Sequence, residues 1–460
     1  MSVFAIELDD RAASMAREGR VLTSAPSAIF DGTAGGPAGT NAWRELRSRP
    51  RAISTRHLSA VLTQRASSAR FEGLVEAELK MRMAEQPLAE GERMWIVTPA
   101  QSEAAGLTAL LGIIRRMDLP VDGFVDSAAV IASALGSERN AIVLELGLHH
   151  AAATAVDCDG AQARRRRTAL HVRGGLIELF QVWLDLVSTT MVKRTRFDPL
   201  HDATTEQRLF DAIPTLALEA ATTGNTTARV TERFEAALTR DQFSQAAESI
   251  YRSIGGLLHQ LRPAGTPVTI VVPHSVARFP GLREQLEQFV GCEWVSVPDG
   301  FAAAATSLLD LPEPQADEDS VRLLRRLPLA ARVVLADSVT REKLGQRRSG
   351  GPAPSHVLWD GRAYSLNVDS LVVGRGPSDS SRYITLPDGL AGVSRRHCTF
   401  VHDGDELVLL DHSTFGTLVN GERVQERVRI HAGDRVRLGE PGVELELIAV
   451  GEVAAATQQP

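Results

Sequence analysis

Lysine is almost missing from this chain: Lys80, Lys193 and Lys343 stand against 47 arginines. Chemistry that requires a lysine amine therefore has very few candidates. Cysteine is equally scarce, and Cys158, Cys292 and Cys398 are odd in number and far apart. That spacing speaks against a disulfide framework and against a zinc cluster. No apolar run approaches the roughly 18 residues that span a bilayer. The first ten residues, MSVFAIELDD, turn acidic without a basic stretch, so no signal peptide is read there and a reduced, cytoplasmic chain is expected. An excess of positive charge is lacking too. The net charge is −7, which excludes bulk nucleic-acid binding, because neutralising phosphates needs a basic face. What is present is 460 residues, 43% hydrophobic and 23% charged, the make-up of a soluble protein with two or three domains.

Composition divides the chain. LPEPQADEDS, from residue 311, and RRSGGPAPS, residues 347–355, read as exposed connectors. The expected layout is a first domain over 1–311, a partly structured linker over 312–355, a second domain over 356–450 and a tail over 451–460. Residues 320–345 fit either a last strand and helix of the first domain or a structured linker. In the first domain, apolar runs (VFAIEL, RMWIVTP, NAIVLELG, VTIVVP) alternate with helical patterns such as GLTALLGIIRRM and QFSQAAESIYRSIGGLLHQL, which means an α/β architecture with buried sheets. After residue 355 the segments are short and β-rich. LVVGR, YITL, HCTFV, ELVLLD, TLVN, RVRLG and VELELIAV predict a β-sandwich, with hairpin turns at Asp403-Gly404 and Asn420-Gly421. Four arginines at 164–167 read as a solvated turn between strands; docking of an anionic partner is the other reading.

The order of segments over 1–310 resembles the actin-like ATPase superfamily, particularly the nucleotide-binding domain of heat-shock chaperones. AIELDD (5–10) falls where that family has its first phosphate loop, with PSAI (26–29) after it. WIVTPA, SEAAGL and FVDSAAVIASALG follow in family order, then VLELGLHHA (143–151) at the second phosphate loop and LHVRGGLIEL (170–179) at the glycine pair behind it. LTRDQF, VVPHSVARFPGL (271–282), at the adenosine loop, and DGFAAAATS complete the series. The implied fold is a duplicated ribonuclease H-like body.

The family's loops need glycines and hydroxyls, so that backbone N–H groups reach the phosphates, and an aspartate for hydrated magnesium. This chain departs from that pattern. Asp9 and Asp10 stand for glycine and threonine, Glu7 and Glu145 each for aspartate. After Gly147, Leu148, His149 and His150 replace two glycines and a threonine; Pro273 and His274 replace the paired adenosine-loop glycines. A carboxylate about 4 Å from a phosphate charge costs on the order of 4 kcal/mol at an effective dielectric of 20. Two would remove most of a micromolar affinity of about 8 kcal/mol. The expectation is a pseudo-ATPase without cofactor, ATP and magnesium being disfavoured. His149 and His150 read as loop residues, with no metal site completed around them.

The second domain resembles the forkhead-associated (FHA) domain, a phosphothreonine-binding module. VVGRGPSDS (372–380) carries its Gly-Arg block, GVSRRHCTF (392–400) its Ser-Arg-x-His block, and LDHSTFGTLVNG (410–421) its Ser-x-x-Gly-Thr and Asn-Gly blocks. A phosphothreonine brings about −1.5 to −2 charges and three acceptor oxygens. Its capture needs a guanidinium fork, hydroxyls and amides on rigid loops. The resemblance assigns the guanidinium to Arg375, hydroxyls to Ser394 and Thr414, and phosphate or peptide contact to Arg395. His397 is implied as a brace between loops, Gly374, Gly416 and Gly421 as turn glycines, and Thr417 and Asn420 as loop-shaping residues. Phe415 stands where the family has an asparagine that grips the peptide backbone.

Three functions follow from these resemblances. The first is an adaptor that recruits a threonine-phosphorylated protein, with a serine/threonine kinase nearby, in bacterial signalling, secretion or division. The second is an active actin-like or chaperone-like ATPase regulated through its FHA domain. The third is an FHA domain that binds an unphosphorylated partner, as Phe415 permits.

Overall fold

The first strand, Val3–Leu8, buries every side chain but one half-buried glutamate, as a strand covered on both faces must. It anchors the first of two sheets that share one design in this computed structural model. The structure describes the chain except for residues 1, 33–37, 64–67, 138, 232, 263–265, 290, 313–321, 330–338, 345–353, 367–368, 377–381, 391, 404–405, 420–421, 440–441 and 450–460. The acidic stretch of the first connector, most of the second, the Asn420-Gly421 turn, Gly404 and the tail lie outside the described residues. The chain forms two units, Met1–Leu286 with Glu293–Glu342, and Glu287–Cys292 with Lys343–Pro460.

In the larger unit Val3–Leu8, Ala13–Arg17 and Arg20–Ala25 form an antiparallel meander. Arg93–Thr98 then lies parallel to Val3–Leu8, and Val121–Asp126 parallel to Arg93–Thr98. The second sheet repeats this. Ala141–Leu146, Ala151–Cys158 and Gln162–His171 make the meander. Thr269–Pro273 lies parallel to its first strand and Glu293–Val297 beyond that. Two helices, Ser127–Leu135 and Phe301–Thr306, pack on each other and on strands of these sheets. All side chains of both are buried, which their alanine-rich sequences allow at close range. The Asp126 carboxylate caps the first by accepting from the Ala129 N–H at 3.0 Å, and left-handed Gly136 ends it.

Two readings of the sequence are resolved here. Residues 164–167 are not a turn but part of the strand Gln162–His171, with a bulge between Arg165 and Arg167. Pairing on both edges, with Ala151–Cys158 and Arg326–Pro328, outweighs the charge run. Asp157 lies 3.4 Å from Arg164 and 3.8 Å from Arg166, and Asp126 lies 3.4 Å from Arg165. Within 320–345, Arg322–Leu324 adds to the first sheet beside Val121–Asp126, and Arg326–Pro328 adds to the second.

The smaller unit is a β-sandwich. One sheet runs Arg362–Ser365, His356–Trp359, Val443–Ile448, Arg435–Leu438, Thr417–Val419, Glu422–Arg423; the other runs Tyr383–Thr385, Leu371–Gly374, Cys398–Asp403, Glu406–Asp411, Arg427–Arg429. Alternation sorts the faces: in Val443–Ile448, Leu445 and Leu447 are buried while Glu444 and Glu446 are exposed. Val373, Cys398, Phe400, Leu409 and Val436 fill the space between the sheets. No helix of the described residues is long and apolar enough to cross a membrane.

Candidate functional site

The sandwich gathers three loops at one end, those at 374–376, 393–397 and 412–416. They are laced together by backbone. The Arg375 N–H donates to the Ser394 carbonyl at 3.1 Å and the Gly376 N–H to the Arg395 carbonyl at 3.1 Å. A Cβ at Gly374 would meet that Arg395 carbonyl at 2.0 Å, so only glycine permits the approach.

His397 joins the second loop to the third. It is fully buried; its Nδ1 accepts the Ser394 N–H at 3.0 Å, and its Nε2 lies 3.3 Å from the Gly416 carbonyl. Because Nδ1 accepts, the ring proton sits on Nε2 and is donated to Gly416. Burial pushes the His397 pKa down, so the ring stays neutral and the bond pattern fixed. The Ser394 hydroxyl accepts the Thr414 N–H at 3.1 Å. Asp411 ties the base of the third loop, accepting from the Ser413 N–H at 3.0 Å and the Thr417 hydroxyl at 2.7 Å. Burial raises its pKa, but these donors outweigh that and hold it below the usual carboxylate range.

Of the residues expected from the sequence, Arg375 and Ser394 are half-buried, while Arg395, Thr414 and Phe415 are exposed. The Arg375 Nε donates to the Val393 carbonyl, which orients the guanidinium. Thr417 and Gly416 are buried, and Asn420 and Gly421 lie outside the described residues. Sequence reasoning missed Asp411, Tyr383, whose hydroxyl donates to the Arg395 carbonyl, and Arg423 beside Gly416. No short-range signal marks any of them, since each acts through a contact made by the fold.

The loops of the larger unit form a second cluster. Asp9 and Asp10 follow the first strand of one sheet, residues 147–150 follow the corresponding strand of the other, and His274 follows Thr269–Pro273. Asp10 reaches across: its Oδ1 accepts the Leu148 N–H at 2.9 Å, and its Oδ2 lies 3.4 Å from His150 Nδ1. A Cβ at Gly147 would sit 2.4 Å from that Oδ1, so this glycine makes room for a carboxylate of the chain itself. His149 and His150 are in a loop, as read from the sequence, but both are buried and bonded, His149 to the Thr55 hydroxyl at 2.9 Å and His150 to Gln101 at 2.6 Å. Burial opposes charge on Asp10 and His150, yet their pairing prevails: Asp10 is held far below the usual carboxylate range and His150 is pushed up to about 9. Burial, helped by the charges of Arg56 and His150, pushes His149 down to about 4; burial, helped by Asp126 and Glu7, raises Glu145 to about 7 despite the Ser127 hydroxyl bonded to it. The space lined by Glu7, Asp9, Arg11, Glu145 and Pro273 amounts to about 30 Å³. That is room for on the order of two waters. Among the described residues no group of three or more His, Cys, Asp or Glu is arranged to hold a metal ion.

A family model matches the sandwich. Residues 371–439 fit the family model of the FHA domain. The FHA domain-containing protein FhaA of Mycobacterium tuberculosis (strain ATCC 25618 / H37Rv) is 45% identical over 80 residues, which are 17% of this chain and 14% of that protein. That match covers a small part of the relative's length, and residues 371–439 contain the three converging loops. Residues 371–439 of this chain form an FHA domain.

Proposed function

We propose that this chain is a phosphothreonine-dependent adaptor, in which the FHA domain captures a threonine-phosphorylated partner and the larger unit is an actin-like body that does not turn over ATP. The observation that carries the reading is the convergence of Arg375, Ser394 and Thr414 on loops braced by one buried histidine. Donors reachable from solvent on rigid loops suit a dianion with three acceptor oxygens. Arg375→Ala and Ser394→Ala should each cost roughly 2 to 3 kcal/mol of phosphopeptide binding, about 30- to 150-fold, with the fold intact. Calorimetry against a phosphothreonine peptide library decides it, with circular dichroism as the folding control. Unchanged affinity in both variants rejects the assignment.

The actin-like reading of the larger unit is supported by the repeated strand order of its two sheets, a meander followed by two parallel strands. The pseudo-ATPase reading is favoured by the bond from the Leu148 N–H to Asp10, which occupies a backbone donor of that loop with a carboxylate of the chain itself. No magnesium-dependent ATP hydrolysis above background is expected, and no thermal shift at millimolar ATP. A site of millimolar affinity with ten times that much ligand would stabilise by about 1.4 kcal/mol, a detectable rise in melting point. Turnover that stops on mutating Glu7 or Glu145 would make the body a working ATPase instead. The bacterial setting and a partner kinase belong to this proposal as its implied context.

A further inference from the structure

Phe415 is 65% exposed, more than any other large apolar side chain among the described residues. The turn that carries it has no freedom to bury it. Ahead of it the Thr414 N–H is bonded to Ser394; behind it Gly416 donates its N–H to the Ser413 hydroxyl at 2.8 Å and gives its carbonyl to His397. Gly416 has φ 95°, a left-handed conformation that holds the turn open. A rigid loop therefore presents an aromatic ring to solvent beside the residues assigned to phosphate.

Arg423 lies against the same turn. A Cβ built on Gly416 would be 2.8 Å from its Nε and 3.0 Å from its Cζ, so the guanidinium covers the Gly416 backbone. Its strand pairs with Thr417–Val419 through backbone, the residue is exposed, and among the described residues no carboxylate is paired with its guanidinium. Arg375 and Arg395 also lack a carboxylate partner there, while the nearby Asp411 is taken up by Ser413 and Thr417. One phosphate of about −1.5 to −2 charges engages two guanidiniums at most in full neutralisation. The third awaits another anion.

We infer that this FHA domain selects a phosphothreonine flanked by an apolar residue, which packs on Phe415, and by an acidic residue, which pairs with Arg423. The inference rests on the phosphothreonine reading above and specifies the partner segment it recognises. Aromatic contact and area burial supply the first preference, and a partly desolvated charge pair the second, weakening as salt rises.

Calorimetry with the full chain tests it, using peptides with the cores Asp-Phe-pThr-Phe-Asp, Asp-Ala-pThr-Ala-Asp, Asn-Phe-pThr-Phe-Asn and Asn-Ala-pThr-Ala-Asn, and the first without phosphate. The Phe/Asp phosphopeptide should bind about tenfold tighter than the Ala/Asn one. Phe415→Ala should erase the preference for Phe, and Arg423→Gln the preference for Asp, each variant still binding the phosphopeptides better than the unphosphorylated one. Equal affinity for the four phosphopeptides, or preferences that persist in the variants, overturns the selectivity while phosphothreonine binding stands. If no phosphopeptide binds better than the unphosphorylated one, the phosphothreonine reading itself falls.

Discussion

Glu78→Ala is expected to destabilise the larger unit by about 3 to 5 kcal/mol, because it strands a buried guanidinium. Glu78 lies on the helix Ala69–Glu85 and is 1% exposed. Its Oε2 accepts from the Ser27 hydroxyl at 2.7 Å and lies 2.7 Å from His57 Nε2; its Oε1 lies 3.2 Å from Arg82. Arg82, 2% exposed, also donates to the carbonyls of Ala25 and Pro26. Burial raises the Glu78 pKa, but His57, Arg82 and Ser27 outweigh it and hold the carboxylate ionised below its ordinary range. A carboxyl with a lowered folded pKa lends stability that is complete above the ordinary value and is lost as pH falls through the folded one. Four of the five tryptophans (Trp43, Trp95, Trp183, Trp294) lie in the larger unit, so their fluorescence follows its unfolding. The midpoint should fall by roughly 10 °C at pH 7. A fall under about 2 °C would mean that the group carries no charge. Function enters through position: His57 is two residues beyond Thr55, whose hydroxyl meets His149 in the loop cluster.

That quartet marks where legibility in the sequence ends. Glu78 and Arg82 are visibly one helical turn apart, but nothing local says that the pair is buried against Ser27 and His57. The strands were legible because apolar runs such as VFAIEL and AIVLEL are buried on both faces. The sandwich strands were legible through alternation, and the loop residues through block order, since Gly374, Ser394, His397 and Gly416 serve contacts that leave few alternatives. Charge misled at 164–167, where a bulged strand pairs three of the four arginines with Asp157 and Asp126. Arg423 and Asp411 were illegible for the opposite reason. Each is an ordinary charged residue until the sandwich brings it to the turn at 413–416.

Raising the pH from 7 to 9 is expected to weaken the larger unit, and His150→Gln to remove most of that dependence. His150 is pushed up to about 9, chiefly by Asp10 acting against burial, so the folded chain keeps a proton that the unfolded chain has lost. Stability from such a raised histidine is complete below about 6.5 and disappears as pH climbs through 9. Other groups do not reverse the trend. Glu145, raised to about 7 by burial, has spent its effect by neutral pH, and it carries the same sign. Asp9 is raised by burial and by Asp10, again in the same direction. His149, pushed down to about 4 by burial, works oppositely, but only on the acid side of 6.5. Between pH 7 and 9 the loss is on the order of 2 kcal/mol. Tryptophan-monitored melts at pH 7, 8 and 9 measure it, and a flat wild-type curve would reject the charged pair. The same pair bears on ATP. Asp10 holds the Leu148 N–H, a donor that a bound anion would need, and His150 keeps Asp10 ionised in that place. On the proposed actin-like reading, an incoming phosphate would have to displace an internal carboxylate already neutralised by its own histidine. His150→Gln removes that neutralisation without opening the loop, so it should change the pH profile while leaving the chain indifferent to millimolar ATP.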